Sequence, residues 1–178
     1  SAVEHKILNL ITDQLTAKID EVSKNKGIKF EGVAGIAKLG YSLAQKTSEK
    51  LGFSDWIPVD SGRKNWYKNE YSSQASSISS GEKMMYIDPF IINRVKGKIA
   101  LIDDAVFTGG STAAAIQTLQ SARAAEIHFF PVFTEGYGYT DILEGLNVPV
   151  KTNVHSLGHL PVFEPTEDGK WRADPETI

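Results

Sequence analysis

The sequence predicts an α/β fold in which a central, mainly parallel sheet is flanked by helices, with residues 1–178 forming one domain. Three observations lead there. Short apolar runs that suit buried strands alternate with segments of helical periodicity. One run, Ile99 to Ile102, ends in two acids, Asp103 and Asp104. The residues beyond it, Thr108-Gly109-Gly110-Ser111-Thr112, are rich in hydroxyls and glycine and lead into Ala113 to Ala115, which open a segment of high helix propensity.

The elements follow in order. Val3, Ile7, Leu10, Ile11, Leu15, Ile19 and Val22 recur at helical spacing and predict an amphipathic helix that ends near Asn25 to Gly27. Residues 28–36 read as a first buried strand, which passes through Ala37-Lys38-Leu39-Gly40 into a helix over 41–51. A short strand at 56–60 precedes a basic pair, Arg63 and Lys64, and the aromatics Trp66 and Tyr67. Residues 69–83 are dense in serine, which predicts a long loop rather than core. A third strand is expected at 83–88, a turn of helix at 89–97 and the central strand at 99–104. A helix over 111–124 leads to another apolar strand at 126–134. Beyond it come Glu135-Gly136-Tyr137, a short helix over 140–146 and a strand around 148–154. The tail from 164 to 178, with prolines and several charges, reads as a surface segment or part of a small flap. His155 and His159 lack an evident third ligand, so structural roles are expected for both.

The chemistry concentrates where the central strand meets its helix. A helix that starts in hydroxyls and glycines presents unpaired N–H groups backed by the positive end of its dipole, and a phosphate fits there. Carboxylates do not bind phosphate. Asp103 and Asp104 would instead accept hydrogen bonds from sugar hydroxyls, or hold a magnesium ion through water. Both halves are satisfied by a ligand with a phosphate and ribose hydroxyls beside it. Glu135 and Tyr137 stand at the carboxyl end of a strand, where one could accept hydrogen bonds from a base and the other could stack on it.

The run from Ile99 to Ser111 resembles the phosphoribosyl diphosphate (PRPP) signature of the type I phosphoribosyltransferases, which is four apolar residues, two acids, a short variable piece and Thr-Gly-Gly-Thr. Ser111 keeps the hydroxyl of the last threonine. The resemblance extends over about residues 28–134 and implies the type I fold, with a small hood or flap and a mobile lid loop supplied by the serine-dense stretch. It implies that Ala105, Val106, Phe107, Thr108, Gly109, Gly110, Ser111 and Thr112 cradle the 5-phosphate, and that Asp103 and Asp104 hold the ribose. Ala37, Lys38, Leu39 and Gly40 would receive the pyrophosphate, with Arg63 and Lys64 close by. Leu39 stands where the family commonly has glycine or arginine.

The implied reaction is attack of a base nitrogen on the anomeric carbon of PRPP, with pyrophosphate leaving. Asp103, Asp104, Lys38, Arg63 and Lys64 would carry catalysis, with Mg²⁺ held through PRPP and water near the acid pair rather than by a protein-only site. Enzymes for hypoxanthine and guanine place an aspartate where Phe107 stands, so the resemblance favours the adenine-like group, although residues 72–81 lack the acid that such enzymes tend to carry in the lid. A homodimer is also implied.

Composition bounds these readings. A formal charge of −3 argues against general nucleic-acid binding, and the absence of cysteine excludes thiol chemistry. No apolar run approaches the length of a membrane span, so neither a membrane nor a nucleic acid is an expected partner and a cytoplasmic location is expected. The other class of function compatible with the motif is a PRPP- or nucleotide-sensing regulator that does not turn its ligand over.

Overall fold

A computed structural model of the protein describes residues 2–77, 81–146 and 153–178. A sheet of five parallel strands forms its centre, in the order β2-β1-β5-β6-β7, where β1 is Gly32–Ile36, β2 Ile57–Val59, β5 Lys98–Val106, β6 Glu126–Glu135 and β7 Gly158–Leu160. Successive strand residues face opposite sides, so the apolar run in β5 serves two cores at once. Ala100 and Ile102 join Val33, Phe130 and Val132 beneath α1 (Ala2–Lys26) and α2 (Leu39–Lys50), which contribute Leu15, Ile19, Val22, Leu43 and Ala44. Ile99 and Leu101 join Ala34, Ile36 and Phe129 on the other face, under Ala113 to Leu119 of α3 (Gly110–Ser121) and Leu143 of α4 (Tyr139–Glu144). Helices therefore cover both faces, as the alternation of elements requires.

Several boundaries differ from expectation. Strand β1 starts at Gly32 rather than at 28, and β5 runs on to Val106, which places Ala105 and Val106 in the strand instead of the phosphate loop. The serine-dense stretch is not a loop throughout. It forms β3 (Ser72–Ser77), paired antiparallel with β4 (Gly81–Tyr86) in a separate two-stranded sheet. The strand expected at 83–88 is accordingly the second arm of this hairpin and not a member of the parallel sheet. Composition misled because a ladder satisfies the backbone groups of serine as well as those of valine. What fixes the arm is its far end, where Met85 and Ile87 are buried in the α3-side core. The hairpin is tied to the end of β2 by reciprocal bonds, Asp60 N–H to Tyr86 O at 2.9 Å and Tyr86 N–H to Asp60 O at 2.8 Å.

The expected strand at 148–154 lies mainly outside the described residues; Val154 makes an isolated parallel bridge with Phe129. The tail forms the small flap, an antiparallel pair of β8 (Phe163–Pro165) and β9 (Trp171–Ala173). His159 anchors it, with Nδ1 2.9 Å from Thr134 Oγ1 and Nε2 2.8 Å from the Thr177 carbonyl. His155 pairs through Nε2 with Nδ1 of the buried His128 at 3.0 Å, and His128 Nε2 lies 2.6 Å from Glu126, which also meets Lys98. Both histidines have structural partners. No helix among the described residues is long and apolar enough to cross a membrane.

Candidate active site

Parallel pairing places the carboxyl ends of β1, β2, β5 and β6 along one edge. Ile36 is in register with Val59, Gly35 with Ile102, Asp103 with Pro131 and Val106 with Thr134. Every predicted site residue follows or ends one of these strands, and ligands bind in the crevice at this edge of open α/β sheets.

Asp103 is buried to 8% exposure and accepts the Asp104 N–H on Oδ1 at 2.9 Å, while Asp104 is half-buried. The Asp104 carboxylate has no hydrogen-bond or ion-pair partner among the described residues. Beyond them the chain turns through an exposed Phe107 to Gly109, whose φ of +80° favours glycine and whose carbonyl accepts the Ala113 N–H at 2.8 Å to start α3. A Cβ on Gly109 would lie 3.1 to 3.2 Å from Tyr139. The N–H groups of the first turn, from Gly110 to Thr112, are not used by the helix's own ladder, and an amino end of this kind favours an anion.

The loop after β1 packs directly on the acid pair. A Cβ on Gly40 would meet the Ile102 carbonyl oxygen at 2.8 Å and Asp103 Oδ1 at 3.2 Å, so only glycine lets α2 begin this close to β5. The Ala37 N–H donates to Val59 O at 3.0 Å, the Ala37–Lys38 peptide is cis, and Lys38 and Leu39 are exposed. Lys38 has no anionic partner among the described residues.

Arg63 and Lys64 lie beyond the end of β2, both exposed. Arg63 has no ion pair among the described residues, whereas the Lys64 ammonium rests 3.6 Å from Asp60 and over the rings of Trp66 and Tyr67, at 5.7 and 5.4 Å. Tyr67 and Asp60 hold the Lys64 pKa above its usual value. Trp66 donates from Nε1 to Asp88 at 3.0 Å. Tyr67 is buried and packs within the fold, while Trp66 is exposed. On the far side of the crevice, the Glu135 carboxylate has no partner among the described residues and Tyr137 stacks on His159 at 4.9 Å.

The edge thus brings the 37–40 loop against Asp103 and sets the α3 amino end beyond the same strand. It does not bring Lys64 onto the acid pair, and Tyr137 already faces an aromatic partner. Asp60 and Asp88 were not foreseen. An acid at a strand's end followed by Ser61-Gly62 was the available signal for Asp60, since the turn it caps, with Gly62 N–H on Oδ1 at 3.0 Å, is of a common kind.

No group of three or more His, Cys, Asp or Glu side chains among the described residues could hold a metal by itself. Two adjacent carboxylates do fit a magnesium ion that takes its remaining oxygens from substrate and water.

Comparison with known proteins agrees with this geometry. The phosphoribosyl transferase domain family matches residues 4–153. The adenine phosphoribosyltransferase of Parvibaculum lavamentivorans is 32% identical over 139 residues, covering 78% of this chain and 77% of the relative. The "Bifunctional protein PyrR" of Caldicellulosiruptor saccharolyticus is 29% identical over 157 residues, covering 84% and 81%. Among solved structures, adenine phosphoribosyltransferase of Thermoanaerobacter pseudethanolicus superposes with a TM-score of 0.66 at 16% identity, over 89% of this chain and 84% of that one, which speaks to the fold. A match over the parallel sheet together with both loops that flank its acid pair leaves one conclusion: the chain belongs to the phosphoribosyl transferase domain family.

Proposed function

We propose that the protein transfers the 5-phosphoribosyl group of PRPP to a nitrogen of adenine, giving AMP and pyrophosphate. The observation that carries this reading is the junction at which Asp103 and Asp104, near the carboxyl end of β5, have the Gly40 loop packed on one side and the amino end of α3 beyond. The similarity to adenine phosphoribosyltransferases supports the choice of base.

In this arrangement the 5-phosphate takes the first-turn N–H groups of α3, and Asp103 and Asp104 accept hydrogen bonds from the ribose hydroxyls. The diphosphate lies over Ala37 to Gly40 with Lys38, Arg63 and Lys64 as its cations. The base nitrogen forms a bond to the anomeric carbon as the carbon–oxygen bond to the diphosphate breaks and its electron pair leaves with pyrophosphate. Positive charge grows on the ring beside the acid pair and negative charge on the leaving group beside the cations, so both groups act most strongly in the transition state. Magnesium, held through PRPP and water near Asp103 and Asp104, would supply further neutralisation of the diphosphate. Glu135 and Tyr137 are assigned to the base, Tyr137 while stacked on His159, and residues 1–178 act as one domain, paired as a homodimer.

The test is mass spectrometry of the products formed from PRPP, magnesium and a pool of purine and pyrimidine bases. AMP is the expected product. Asp104→Asn should lower its rate by about 100-fold or more, the loss typical of one transition-state contact, with little change in folding. A different nucleoside monophosphate would refute the choice of base. Recovery of unreacted PRPP and bases alone would refute turnover and leave the PRPP-sensing role.

A further inference from the structure

Lys64 is assigned to the diphosphate, yet in the free protein its ammonium is already held elsewhere. Asp60 Oδ2 lies 3.6 Å from it, and the rings of Trp66 and Tyr67 lie at 5.7 and 5.4 Å. This cradle is braced by its neighbours. Trp66 donates from Nε1 to Asp88 at 3.0 Å and meets Tyr67 edge-on at 6.1 Å, and Tyr67 packs against Tyr86 at 5.7 Å. Asp60 itself is fixed by its reciprocal backbone bonds to Tyr86 and by the Gly62 N–H on Oδ1 at 3.0 Å. Besides Lys64, its Oδ2 meets the Tyr67 hydroxyl at 3.4 Å.

A fixed carboxylate beside a cation on a flexible stem has a consequence for an incoming diphosphate. Asp60 follows Val59, whose carbonyl takes the Ala37 N–H at 3.0 Å, so its negative charge stands at the flank of the loop assigned above to the diphosphate. There it holds the ammonium that the ligand would use, and like charge opposes the ligand as well. We propose that Asp60 is a positioning residue that acts through Lys64: it withholds the ammonium from the crevice until a diphosphate displaces the carboxylate, and so weakens the binding of PRPP and of pyrophosphate alike. The inference rests on the assignment of Lys64 to the diphosphate. It explains why Lys64 stands in a cradle while its neighbour Arg63 has no ion pair among the described residues. It also favours product release, because Lys64 has Asp60 to return to as pyrophosphate leaves.

Asp60→Asn removes the charge and keeps an amide oxygen for the Gly62 N–H, and the bonds to Tyr86 are backbone, so the turn is retained. Calorimetric titration of the full chain with PRPP and magnesium should then show tighter binding, by about two- to fivefold, the scale of an exposed ion pair. Pyrophosphate should inhibit at a correspondingly lower concentration, while the KM for adenine stays unchanged. Asp60→Ser, whose hydroxyl caps the same kind of turn, should behave alike. In a Lys64→Gln background the gain from Asp60→Asn should shrink, since only the direct repulsion is left. A role confined to folding predicts the opposite sign, weaker binding with a lower melting temperature. PRPP affinity unchanged or weakened in both neutral variants would overturn the proposal, as would an undiminished gain in the Lys64→Gln background. Lys64→Gln alone with the parent's PRPP affinity would instead strike the assignment of Lys64, and a parent that fails to bind PRPP would strike the assignment of the crevice.

Discussion

Replacing Gly40 by alanine tests the contact on which the site is built. The added methyl would lie 2.8 Å from the Ile102 carbonyl oxygen and 3.2 Å from Asp103 Oδ1. The first contact is about 0.6 Å short of an ordinary one, and its partner is backbone in the central strand, which cannot swing aside. Overpacking of this kind costs about 1–3 kcal/mol. Better helix propensity at the start of α2 returns at most about 1 kcal/mol, so a net loss of about 1–2 kcal/mol is expected. In a chain of this length that lowers the melting temperature by about 3–6 °C. The displaced group is Asp103, whose carboxylate also accepts the Asp104 N–H, so PRPP affinity should fall as well, by about tenfold. Thermal melts and calorimetry read the two effects. Gly62→Ala is the control: its Cβ would sit 3.6 Å from Asp60 Oδ1, an ordinary contact, and should change neither quantity. A Gly40→Ala protein that melts and binds like its parent would refute the packing of the pyrophosphate loop on the acid pair.

Two further predictions concern stability away from the crevice. Arg123 closes α3 with φ +72°, and its neighbours make the bonds of a glycine-type helix end, Arg123 N–H to Gln120 O at 2.8 Å and Ala124 N–H to Leu119 O at 3.0 Å. Arg123→Gly should therefore stabilise the protein by about 1 kcal/mol, read as a higher urea midpoint; an unchanged or lower midpoint would contradict the strain. His155 is held neutral by burial and by His128, with a pKa lowered to about 4 from 6.5. The unfolded chain binds the extra proton between those values, so stability is complete above about pH 6.5 and falls as pH drops towards 4. Urea titrations at several pH values should show that slope, and His155→Phe should flatten it. An equal slope in the variant would place the titration elsewhere.

The parallel sheet was legible because its strands carry the pattern that buried strands require. Ile99 to Ile102 is apolar at every position since alternate residues enter opposite cores, and the glycines around Thr108 mark the turn into α3. The acid pair was legible for the same reason, being the first polar residues after such a run. What sequence concealed was pairing between segments distant in the chain. Serine at 72–77 carries no strand signal, and its place is set by the β4 ladder and by the tie from Tyr86 to Asp60. Phe107, read as a mark of the base, is exposed at 46% instead of packing into the core.

The two ends of the β5–β6 pair show why the crevice, and not another charged region, is the reactive one. At the amino ends Lys98 and Glu126 stand in register and meet, and Glu126 continues through His128 to His155. Lys98 first and His128 second hold the Glu126 carboxyl below its usual range. Those charges are neutralised within the protein and close the sheet beneath Phe30, whose ring meets His128 edge-on at 5.2 Å. Towards their carboxyl ends the same two strands carry Asp104 and Glu135, for whose carboxylates no internal partner exists among the described residues. Lys38 and Arg63 stand likewise at the ends of β1 and β2. Opposite charges that the fold keeps apart on one edge are available to a ligand that carries both hydroxyls and phosphates. A single ligand with its hydroxyls on the acids and its diphosphate on the cations would satisfy them together, which is the arrangement proposed for PRPP and is beyond a free phosphate or a free sugar.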